Sequence, residues 1–144
     1  MSIIVKFFAA PDDTSAGRAL RTGPGQACES LSFGNFDPVE AVIEWERLLA
    51  GGSFEELVDA GEPRVVAGRG DDGRVVFAIS PRLSTALADA RPSGVRDAAA
   101  SWARLRAEDG EVVDTEIAEA IVGDLAGLAS SARRHDQGVY CWVA

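Results

Sequence analysis

Short unbroken apolar runs alternate along the chain with segments whose apolar positions recur every three or four residues, the pattern of strands interleaved with amphipathic helices. Residues 2–9, "SIIVKFFA", are almost all β-formers, as in a strand covered on both faces, and Pro11, Asp12 and Asp13 end the run. "TSAGRALRTGPGQA" comes next, with a short helical turn expected before Gly23, Pro24 and Gly25 impose a loop. A further strand is expected over Cys28 to Phe33, with Leu31 and Phe33 on one side and Ser30 and Ser32 on the other. "FDPVEAVIEWERLLAGG" opens a helix. Asp37 can cap it, Pro38 suits its first position, and Glu40 completes a capping box. Val42, Trp45, Leu48 and Leu49 share one face, Glu40, Glu44 and Arg47 are left for water, and Gly51 or Gly52 stops the helix.

A second box, Ser53 with Glu56, starts the short helix "FEELVDA", stopped by Gly61 and Pro63. Residues 64–80, "RVVAGRGDDGRVVFAIS", are two β-branched runs around a Gly and Asp cluster, which is a hairpin signature. The tripeptide Arg69 to Asp71 inside it matches a cell-adhesion motif, but turn chemistry accounts for these residues. Ser80 and Pro81 open a helix that closes before Pro92, and "SGVRDAAASWARLRA" predicts another, with Val95, Ala99, Trp102 and Leu105 or Arg106 along its seam. "EDGEVVD" reads as a loop. The longest helix runs from an Asp114 cap to about His135, with Ile117, Ile121, Leu125 and Leu128 as its apolar stripe. Gly123 and Gly127 within it suggest a close crossing with another element.

The chain's last segment, "ARRHDQGVYCWVA", gathers its only His, its only Tyr, one of two Cys and one of three Trp. Arg133, Arg134 and His135 fit the last turn of the long helix, where positive charge complements the carbonyl end of the dipole. Gly138 suits the reversal. "VYCWV" then reads as a buried strand beside "IIVKFF", with Tyr140 and Trp142 on one face and Val139, Cys141 and Val143 on the other. That placement separates Cys141 from His135, so Cys141 is expected to be a packed side chain rather than a nucleophile.

Composition narrows the functional classes. The 144 residues, 47% hydrophobic, suit a single domain. Cys28 and Cys141 form no C-x-x-C pair and fit reduced thiols better than a disulfide framework. No signal-peptide pattern precedes the apolar start, and the expected location is the cytoplasm. A net charge of −9 repels phosphate backbones, so nucleic acid is not expected as a partner, whereas a basic protein or a cationic ligand fits; the apolar start is too short for a membrane span, so no membrane is expected either. No metal or cofactor is expected. One His and two separated Cys do not make a closed zinc shell, and "RTGPGQA" lacks both the Lys-Ser/Thr pair of a P-loop and the third glycine of a dinucleotide fingerprint. The acidic pairs Glu55 with Glu56 and Asp71 with Asp72 lack the alternating ligands of a calcium loop. A lone His at a helix end singles out no serine nucleophile, so no catalytic residue is assigned and an enzyme is not the first expectation.

"FDPVEAVIEWERLLAG" resembles the segment with a Leu-Leu-Thr-Gly ending in the YfbM-like family of uncharacterised bacterial proteins. "VVFAISPRLSTALADA" and the long helix leading through a basic turn into "VYCWVA" occur in similar order there, so that the likeness spans about two-thirds of the chain. Where that family often has Trp and His in the first helix, this chain has Val42 and Glu46. The family has no assigned activity, and the resemblance implies a mixed α/β fold.

The expectation is therefore one α/β domain of the α+β type, a single mixed sheet of about four to five strands with helices packed mainly on one face. The leading functional expectation is a small acidic protein-interaction module, with an immunity- or antitoxin-like role as the analogy. The rival is a small-molecule binding protein or enzyme whose pocket is bordered by Phe33, Asn35, Phe36 and Asp37 on one side and Arg133, Arg134 and His135 on the other. A homo-oligomeric structural protein is the third class, with the oligomeric state left open by the sequence.

Overall fold

A computed structural model describes residues 4–25, 29–34, 36–68 and 73–144. Cys28, Asn35, the tripeptide at 69–71 and the acidic pair at 71–72 lie outside the described residues. The elements run β1 (Ile4–Ala10), α1 (Asp13–Gly17), β2 (Ser30–Gly34), α2 (Pro38–Ala50), α3 (Phe54–Asp59), β3 (Arg64–Gly68), β4 (Val75–Ala78), α4 (Pro81–Asp89), α5 (Pro92–Glu108), α6 (Thr115–Arg134) and β5 (Gly138–Val143).

One five-stranded sheet has the order β2-β1-β5-β4-β3, and each neighbouring pair is antiparallel. The fold is α+β, with antiparallel rather than mixed pairing. The first and last strands lie side by side near the centre, with Phe7 opposite Cys141 and Phe8 opposite Tyr140. Their near-continuous apolar character follows, because a central strand covered on both sides has no face left for water.

The two faces are covered unequally. Val5, Phe7, Ala9, Phe77, Val139 and Cys141 point into the main core, where α2, α4, α5 and α6 supply Trp45, Leu83, Trp102, Val122 and Leu125. Each such large side chain, fully buried, contributes roughly 1.5–3 kcal/mol. Phe8, Val76, Ala78, Tyr140 and Trp142 face a thin second layer of Ala16, Ala19 and Leu20. Trp142 donates its indole N–H to the Leu20 carbonyl at 2.8 Å. Gly23 sits above that ring with φ of 83°, and a Cβ there would fall 3.0 Å from it, so glycine is required for both conformation and space.

Helix starts follow the sequence signals. The Asp37 carboxylate accepts from the Val39 and Glu40 N–H groups, Ser53 from Glu56, Ser80 from Leu83, and Asp114 from Glu116. Four expectations change. Glu44 is buried rather than solvated, and the Glu40 side chain of the expected capping box instead joins Glu44 around Arg106, because α2 is flanked by both α4 and α5. Ile117 is exposed; Ala118, Ile121, Val122 and Leu125 form the buried stripe. The chain reverses at Asp136, with φ of 54°, while Gly138 already begins β5. The glycines of α6 mark no close crossing, since a Cβ at Gly127 meets nothing within 4 Å and one at Gly123 only touches Val95 at 3.9 Å.

Candidate functional site

The described residues among those expected to border a pocket do not converge. Phe36 is core, edge-on to Trp102 at 5.6 Å and to Trp45 at 6.0 Å, and Phe33 is half-buried against Phe7 and Phe36. Asp37 spends its carboxylate on the α2 cap. At the other end of the chain, Arg133 pairs with Asp89 at 2.7 Å, Arg134 reaches Ser130, and His135 Nδ1 lies 2.8 Å from the Ser131 carbonyl, to which it can donate. Ser131 also donates to Glu29, just before β2, whereas Phe33 lies at the opposite end of that strand and Phe36 and Asp37 come after it. About 15 Å of strand separates the two groups.

Cys141 is fully buried in β5, and burial pushes its thiol well above the usual range. A thiol held neutral in an apolar sheet is no nucleophile. Among the described residues no cluster of His, Cys, Asp and Glu is arranged to hold a metal, and no helix is long and apolar enough to cross a membrane.

Two other places concentrate polar chemistry. The first is the end of the molecule where α5 passes into α6. Arg106, only 4% exposed on α5, donates through Nη2 to Glu40 at 3.0 Å, Glu44 at 2.6 Å and Asp109 at 2.8 Å, while Nη1 lies 3.7 Å from Glu111. One guanidinium thus meets four carboxylates drawn from α2 and from the connection after α5. Burial pushes the Glu44 carboxyl up, against the opposing effect of the Arg106 hydrogen bond. Beyond this anchor, residues 107–117 contain Glu108, Asp109, Glu111, Asp114 and Glu116 and no basic side chain. Val112 stands 98% exposed at the tip of that segment, and Ile117 is 58% exposed one helical turn into α6. Periodicity concealed this surface, because it assigned Ile117 to the core and treated the connection as a plain loop.

The second place is a cleft of about 360 Å³ at one end of the sheet, between the start of α4, the last turn of α6 and the strands β4 and β5. Ile79 and Val139 contribute apolar wall, Ser84 and Thr85 hydroxyls, and Glu62, Arg64, Arg133 and Asp136 charge. Of the described sequence candidates only Arg133 lines it. Arg64 grips Asp13 through two nitrogens at 2.6 and 3.2 Å, and Tyr140 donates to the same carboxylate at 2.8 Å. These contacts hold Asp13 below the usual carboxylate range, with Arg64 the larger cause, while burial and Asp13 push the Tyr140 phenol up to about 12. Behind the cleft, buried Ser80 donates to Glu46, which lies 3.6 Å from Arg82.

No family model, curated protein or solved structure matches this chain.

Proposed function

We propose that the protein is an acidic protein-interaction module that docks a basic partner through the α5–α6 end. The observation carrying this reading is the fully exposed Val112, which with Ile117 belongs to a segment, residues 107–117, of five carboxylates and no basic side chain, two of the five being held from beneath by Arg106. Exposed apolar groups ringed by charge of one sign are the composition of a docking surface, the apolar part supplying affinity and the charge supplying steering and selectivity. The buried Arg106 cluster adds preorganisation. By fixing Asp109 and Glu111 it holds the connection in one shape before binding, which reduces the entropy lost on association. An immunity- or antitoxin-like protein, which covers a basic toxin, is the nearest analogy for such a surface.

The test immobilises the protein and a Val112→Ser/Ile117→Ser double variant, exposes both to lysate of the native host at low and high salt, and identifies what is retained. The expected result is a stoichiometric basic protein, released by salt and missing from the double variant. Equal retention by the variant would remove this surface from the interface. Capture of no basic protein would overturn the reading.

A further inference from the structure

We infer that the cleft at the end of the sheet is a binding site for a small aliphatic ammonium ion, with Glu62 as its principal anion. The inference goes beyond the docking reading and uses a different part of the molecule.

Charge accounting at the cleft carries it. Both arginines in the wall are already neutralised by carboxylates at ion-pair distance, Arg64 by Asp13 and Arg133 by Asp89. Arg82, at the start of α4, is turned away toward Glu46 and the carbonyls of Ala50 and Gly51. Glu62 and Asp136 also line the cleft, and neither carboxylate has an ion-pair or hydrogen-bond partner among the described residues, although Arg64 lies near enough to Glu62 to lower its carboxyl against the effect of burial. With Asp13 and Asp89 counted, four carboxylates stand against two arginines, which leaves the surroundings of the cleft with a charge of −2. A ligand that neutralises it must be cationic, because an anion would meet two bare carboxylates and two arginines already in use.

Shape and lining refine the class. Glu62 is half-buried, and burial, then the neighbouring Glu46, pushes its carboxyl up, so that an ionised Glu62 gains from an incoming cation. The Ser84 and Thr85 hydroxyls can accept further N–H bonds, and Ile79, Val139 and Ala129 supply surface for a short hydrocarbon chain. A cavity of about 360 Å³ accommodates a molecule of this size. A primary ammonium on an aliphatic chain satisfies all three features, whether it belongs to a free amine or to a lysine side chain.

Two-dimensional amide NMR of the full chain, titrated with 1,4-diaminobutane, butylamine or Nα-acetyl-lysine N-methylamide at constant ionic strength, tests the inference. Saturable shifts centred on Ser84, Thr85, Gly138 and Tyr140 are expected, with Glu62→Gln weakening binding about tenfold as one ion pair is lost. Asp136→Asn, which lies on the exposed turn and tolerates the same backbone conformation, is expected to weaken it independently. Tighter binding of the free amines than of the blocked lysine would identify a small molecule as the occupant, and the reverse order a side chain. Shifts that fail to saturate by about 10 mM, a condition set at the weak limit of specific binding, would overturn the inference. So would shifts reproduced by sodium chloride alone, or equal affinity in Glu62→Gln.

Discussion

Gly127 lies in the interior of α6 with open space where a Cβ would sit, and Gly123 has room for one in ordinary contact with Val95. Neither has a backbone angle that demands glycine. Each therefore carries the entropic cost of glycine in a helix with no packing gain to offset it. Gly127→Ala is expected to raise the free energy of unfolding by about 0.5–1 kcal/mol, and Gly123→Ala by a similar or smaller amount because its methyl must share space with Val95. Urea denaturation monitored by tryptophan fluorescence gives the comparison. A destabilised Gly127→Ala would mean that α6 needs the missing methyl for an approach that the isolated chain does not show. Gly23 is the contrast: its positive φ strains any side chain, and the Trp142 ring 3.0 Å from a built Cβ would have to move aside.

At the scale of elements, Arg106 joins α2, α5 and the α5–α6 connection through one side chain. Replacing it with leucine leaves Glu44 buried with no counter-charge, and Arg106→Leu is expected to cost about 3–5 kcal/mol. The double variant Arg106→Leu/Glu44→Leu is expected to recover much of that loss, since an apolar pair carries no desolvation penalty. Chemical denaturation of the single and double variants measures the difference; additive losses would show that the pair acts through packing and not through charge. This junction also marks the limit of what the sequence reveals. The 3.6-residue period located α2, and it found the capping residues because a cap is a local bond between neighbours. It assigned Glu44 to water because a single-stripe helix is assumed to have one apolar face, whereas residues 41–46 are all buried between neighbouring helices. Arg106 on the expected seam of α5 was the available clue, but its partners lie 62 and 66 residues away, beyond any periodicity. The central pairing of β1 with β5 was legible for the opposite reason. Two apolar runs without alternation need cover on both faces, and only the middle of a sheet provides it.

Across the whole molecule, charge sets the response to pH. Glu44 and Glu62 have folded-state carboxyls raised above their ordinary value of 4.5, chiefly by burial, so the folded chain holds their protons more tightly than the unfolded chain. Their contribution to stability therefore falls as pH rises from about 4.5 through their folded values, and the full penalty is present above that window. Asp12 and Asp13 act in the opposite sense. Held below 3.8 by Ser15 and by Arg64 respectively, they contribute stability that is present above that value and lost as pH falls through their folded values. Self-repulsion among the surface carboxylates behind the net charge of −9 adds to the loss on the alkaline side and is screened by salt, whereas the buried Glu44 is screened little. The melting temperature is thus expected to be higher at pH 4.5 than at pH 8, and to fall again as pH drops below about 3.8. In about 0.5 M sodium chloride, where the Debye length is only a few ångströms, the difference between pH 4.5 and 8 should shrink but persist. Glu44→Gln/Glu62→Gln should remove most of what persists, because Arg106 keeps Glu40, Asp109 and Glu111 as partners while the two costly ionisations are gone. Scanning calorimetry of both proteins over pH 3 to 8 resolves the two contributions. A residual pH dependence that survives the double substitution would assign it to surface repulsion, and a wild-type melting temperature no lower at pH 8 than at pH 4.5 would contradict the buried-carboxylate account.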